Sequence, residues 1–112
     1  MSGEKLNLNN DSEILKICSP KASVGGPYVV VFKNITERWA IVALDWDKQP
    51  RLGIRWFWGN GGNPFSSANP TWLVIPSDLT NSILNGLPLD YEFRKKLDRF
   101  LSKEIDGEMI TE

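Results

Sequence analysis

The chain has no histidine and, among its 112 residues, a single cysteine, Cys18. Without histidine it lacks the commonest general base and the commonest metal ligand. A Ser-His-Asp or Cys-His hydrolytic arrangement is therefore excluded within one chain. A single thiol rules out an intramolecular disulfide. With no base to draw out its thiolate, Cys18 reads as a small buried hydrophobe. An excess of one charge is also missing, since 13 Lys and Arg face 14 Asp and Glu for a net charge of −1. A nucleic-acid binder needs a concentrated cationic face, so no nucleic-acid partner is expected, and nothing draws the chain to an anionic membrane. No apolar run approaches the roughly 18 residues of a spanning helix. The opening residues, MSGEKLNLNNDSEILK, lack the apolar stretch of a signal peptide, and the expected address is cytoplasmic.

What the chain does have is tryptophan: Trp39, Trp46, Trp56, Trp58 and Trp72. Four of them fall in or beside two strand-like runs. In Arg51–Trp58 the even positions are Leu, Ile, Trp, Trp, a period-two alternation. In Trp39–Trp46 the even positions are Ala, Val, Leu, Trp. If one sheet face is wet, even must pair with even, which demands an odd-length turn. A three-residue turn at Asp47-Lys48-Gln49 puts Trp46 opposite Pro50, Leu44 opposite Leu52, Val42 opposite Ile54 and Asp45 opposite Arg51. Trp39 and Phe57 then face each other on the outer side.

Around this hairpin the reading is plainer. Residues 1–11 are polar and read as a flexible arm, followed by a short element at Ser12–Cys18 that Asp11 or Ser12 can cap. Tyr28–Phe32 and Thr71–Ile75 are strand-like, and 59–70 is a long loop of the kind that is often functional. Ser77 is placed to cap a helix over 78–85, with Gly86 at its end. Asp90 is placed to cap a second helix, whose stripe is Phe93, Leu97, Phe100, Leu101 and Ile105. The expected fold is α+β: one domain over 12–105, an antiparallel sheet of about four strands, two C-terminal helices on one face, and a frayed tail at 106–112.

Chemistry-bearing patterns are sparse. Asp45-Trp46-Asp47 places two carboxylates two residues apart, but the sixth position of an EF-hand loop would be Pro50. Pairing with Lys48, Arg51 or Arg55 is the plainer reading, with no metal and no cofactor. The glycines of 59–62 match neither a dinucleotide fingerprint nor a phosphate loop. Candidate ligand-binding residues are Asp45, Arg55, Asn60 and Asn63, around a pocket beneath the 59–70 loop. Candidate interface residues are Trp39 and Phe57.

The stretch RLGIRWFWGNGGNPFSSANPTWLVIP, with the Phe93–Leu101 helix after it, resembles small bacterial proteins encoded on mobile integron gene cassettes. The resemblance implies a compact cytoplasmic protein, often a homo-oligomer, with no transferable site residues. The leading expectation is a non-enzymatic interaction protein that self-associates, as a dimer by preference, through an aromatic sheet face. The alternatives are a small-molecule binder, less readily an enzyme, and an immunity or antitoxin-type protein that blocks a protein partner.

Overall fold

The computed structural model describes residues 7–58 and 61–112. Its centre is the expected hairpin, β2 (Trp39–Trp46) and β3 (Gln49–Trp56), but the turn has two residues, not three. Asp47 and Lys48 both take left-handed backbone, φ 50° and 68°. That is the requirement of a type I′ turn, whose twist matches the strands it joins. The pairs are Trp46–Gln49, Asp45–Pro50, Leu44–Arg51, Ala43–Leu52, Ile41–Ile54 and Trp39–Trp56. Odd residues of β2 thus share a face with even residues of β3, which corrects the parity expectation. The expectation failed because it assumed one wet face. Ala40 to Leu44 are all buried, none more than 4% exposed, and a strand covered on both sides carries no alternation.

The strand order is β1-β2-β3-β6, every pairing antiparallel, with β1 at Val24–Asn34 and β6 at Leu73–Val74. β1 is longer than Tyr28–Phe32 because it absorbs the Gly25-Gly26-Pro27 stretch through an irregularity in register. On one face Ile41, Ala43 and Leu52 pack with Val31, Leu84, Leu97, Phe100, Ile105 and Ile110. Val31 comes from β1, and Leu84 to Ile110 come from α2 (Thr80–Asn85), α3 (Tyr91–Leu101) and the chain after it. The two C-terminal helices therefore lie on one face, as expected. Asp90 caps α3, its carboxylate accepting from the Glu92 and Phe93 N–H groups. α2 starts instead from a 3-10 turn over Ser77–Leu79 with no side-chain cap.

The other face is covered by the N-terminal segment. Leu8 and Ile14 pack on Ala40, Val42, Leu44, Phe57 and Trp72. Trp72 Nε1 donates to the Ile17 carbonyl at 2.7 Å, and Thr71 Oγ1 donates to the Ser19 carbonyl at 2.6 Å. Asn10, one residue earlier than expected, caps α1 (Asp11–Ile14). From Leu8 onward this segment is core, not a loose arm, whereas residues 1–6 lie outside the described residues. The C-terminal tail is also ordered. A 3-10 turn over Gly107–Thr111 seats Ile110 in the core at 2% exposure. Cys18 is only half-buried. Among the described residues no helix is long and apolar enough to cross a membrane.

Candidate functional site

The four expected ligand-binding residues do not converge. Asn60 lies outside the described residues. Asn63 pairs through its backbone with Trp56, by N–H···O bonds of 2.9 and 3.1 Å. Arg55 is 1% exposed and serves as scaffold. Its guanidinium donates to the carbonyls of Gly61, Pro64 and Thr71, and its flat sides meet the rings of Phe57 and Phe65. It thereby holds the 61–71 loop, which folds into a small hairpin of β4 (Phe65–Ser66) and β5 (Asn69–Pro70). No carboxylate faces this cation, and burial lowers its pKa. Asp45 is far from it. Arg55 pairs with Ala40 and Asp45 with Pro50, so they are five residues apart along β2, about 16 Å. They also point to opposite faces of the sheet. A pocket built from Asp45 and Arg55 together is excluded.

The expected interface pair is divided as well. Phe57 is 6% exposed and packs edge-on against Trp72 under the N-terminal segment. Trp39 is on the helix-bearing face, tilted against Phe32 and directly opposite Trp56. The outer aromatic pair that parity implied does not exist, because Phe57 lies under the N-terminal segment and Trp39 on the helix-bearing face.

A different site forms at the turn end of the hairpin. A cleft of about 150 Å³ opens there between β2–β3 and the chain that follows α3. Pro50, Phe100 and Ile105, all buried, supply apolar walls. Asp45, Lys48, Lys103 and Asp106 supply two carboxylates and two ammonium groups. No ion pair within 4 Å joins any of these four to another.

The cleft is built from inside by Tyr28. Its ring stands edge-on to Phe100, with centroids 5.8 Å apart, and its hydroxyl donates to Asp45 Oδ2 at 2.6 Å. Burial first, then this bond to Asp45, pushes the phenol pKa well above its ordinary value, so Tyr28 remains a donor. One oxygen of Asp45 is thereby fixed, and the residue lines the cleft. The two lysines are held by unusual backbone. Lys48 is the second residue of the type I′ turn and Lys103 follows α3, at φ 68° and 69°. Glycine or asparagine favours both positions, and a β-carbon there costs roughly 1–2 kcal/mol. The same backbone occurs in the turns at Arg38, Asp47, Ser67 and Ala68, so it fixes where the two lysines start without by itself marking a site.

Of these residues sequence reasoning found only Asp45. Asp47-Lys48 gives no Asn-Gly or Asp-Gly signal, and Tyr28, Lys103, Asp106 and Gly107 are brought together only by tertiary packing. Among the described residues no group of three or more His, Cys, Asp or Glu side chains could hold a metal. No protein-family model, curated protein or solved structure matches the chain.

Proposed function

We propose that this is a non-enzymatic binding protein for a small polar molecule, taken up at the turn-end cleft. The observation that carries the reading is a cleft of about 150 Å³ bordered by two carboxylates and two ammonium groups over buried Pro50, Phe100 and Ile105. Small-molecule sites use a few placed polar groups to fix a ligand, and this cleft gathers four charged ones over a small apolar floor. Its volume is about half the lower bound of roughly 300 Å³ for drug-sized sites, which suits a small ligand. A thermal-shift screen of small charged metabolites tests it. A ligand present at about 100 times its Kd adds about 2.7 kcal/mol of stability, a rise of several degrees. The rise should vanish in the double variant Lys48→Glu/Lys103→Glu. A rise that survives that change places the ligand elsewhere and overturns the reading.

A second reading, self-association, rests on the opposite end of the sheet. Trp39 and Trp56 face each other there, and Trp56 belongs to neither core cluster. Leu73, which pairs with Ile54 on the same face, is 51% exposed. An apolar end of this kind fits a contact between copies. Sedimentation at micromolar concentration should then give a dimer, and Trp56→Glu a folded monomer. A wild-type chain that sediments as a monomer removes this reading.

A further inference from the structure

We infer that the ligand of the turn-end cleft is a zwitterion of the size of a free amino acid, bound through both of its charges. The inference rests on the cleft being a binding site, and it names the ligand class. Two ammonium groups and two carboxylates border a space of only about 150 Å³, yet none is paired with another. Other ion pairs of the chain do close: Lys16 reaches Glu13, Lys33 reaches Asp11 and Arg94 reaches Asp98 within 2.6–2.9 Å. Lys48, Lys103 and Asp106 are exposed, so what sets the cleft apart is that four unpaired charges of both signs border one small space. Lys48 is fixed on the hairpin turn and Lys103 at the end of α3, while Asp45 is pinned in β2 by the Tyr28 hydroxyl.

Such an arrangement selects by charge. A simple anion gains the two lysines but also borders two carboxylates. A simple cation has the mirror-image problem. Like charges on the cleft rim oppose either one, the more so near half-buried Asp45. A molecule carrying an ammonium and a carboxylate satisfies both pairs, with Asp45 and Asp106 accepting from its ammonium and Lys48 and Lys103 donating to its carboxylate. Pro50, Phe100 and Ile105 give the cleft a small apolar floor. A longer polyanion such as a nucleotide fits neither the volume nor the carboxylates.

The experiment is a titration of the full chain followed by backbone amide NMR, with three matched probes: L-leucine, 4-methylpentanoate and isoamylamine. The standard amino acids, γ-aminobutyrate and glycine betaine extend the zwitterion set. Zwitterions are expected to shift the amides of Lys48, Lys103 and Gly107, and each singly charged probe to bind at least tenfold more weakly. Lys103→Gly should weaken zwitterion binding about tenfold while the melting temperature holds or rises, because glycine suits φ 69°. A melting temperature that falls instead makes Lys103 a structural residue and overturns the proposal. If a singly charged probe binds at these amides as tightly as the zwitterions, the zwitterion inference is overturned and the cleft reading stands. If no probe of either kind moves these amides, both fall.

Discussion

Arg55→Lys should destabilise the protein by about 3 kcal/mol, a fall of about 10–15 °C in melting temperature. The guanidinium serves three carbonyls at once, those of Gly61, Pro64 and Thr71, from a site that is 1% exposed. A planar fork does this with fixed geometry, and an ammonium on a flexible stem does not. Each hydrogen bond to a charged donor contributes about 1.5–3 kcal/mol, and an orphaned buried carbonyl costs about 1–3 kcal/mol. Losing two of the three, with the contacts to Phe57 and Phe65, gives the stated magnitude. An opposing effect exists. Arg55 is a buried cation with no carboxylate partner, and its Nε has no hydrogen-bond partner. Lysine keeps that desolvated charge and loses the compensation, whereas Arg55→Met removes both. Arg55→Met should therefore cost no more than Arg55→Lys, although it looks the more drastic change. Urea unfolding of both variants checks this, and hydrogen exchange should show the loss concentrated in the 61–71 loop. A lysine variant within about 1 kcal/mol of wild type would mean that the three carbonyl bonds are not what holds the loop.

Arg55 also shows where the sequence misleads. In β3 the alternation Arg51, Gly53, Arg55 against Leu52, Ile54, Trp56 has the form of a wet face and a dry one. Yet Arg55 is among the most buried side chains, while Trp56 is half-exposed. The pattern reports residue type, not what covers the sheet. The contrary signal lay in β2, whose unbroken apolar run from Trp39 to Leu44 is that of a strand covered on both sides. Leu8, Ile14 and Ile17 are the matching cover, but their spacing is too short and irregular to show it. Local rules succeeded where the determinants were local. Asp90 caps α3 two and three residues ahead of itself, and Leu97 and Phe100 of the apolar stripe are buried. The α+β class followed from element order alone. The cleft was not legible, because its residues come from β1, the hairpin turn and the far end of the chain, and only packing brings them together.

The tail supplies the second large effect, at Gly107. Its backbone is not left-handed, so the need for glycine is steric. A β-carbon there would fall onto the ring of Tyr28, far inside van der Waals contact. The ring has nowhere to retreat. Phe100 stands against it, its hydroxyl is tied to Asp45, and a β-carbon at Gly25 would already lie 3.2 Å from that hydroxyl. Overpacking ordinarily costs about 1–3 kcal/mol. Here the displaced segment also carries Ile110 out of the core, so Gly107→Ala should cost about 3 kcal/mol or more. A double-mutant cycle separates the clash from a general effect of the tail. Tyr28→Ala alone loses the ring packing and the Asp45 bond. With the ring gone, adding Gly107→Ala should cost less than 1 kcal/mol further, a coupling of at least about 2 kcal/mol between the two sites. Additive costs in that cycle would show that Gly107 does not rest on Tyr28. The same double variant bears on binding, because without the phenol the Asp45 carboxylate loses the hydrogen bond that holds it in the cleft wall. A chain that still folds but no longer takes up a ligand would connect the tyrosine beneath the cleft to the carboxylate that faces into it.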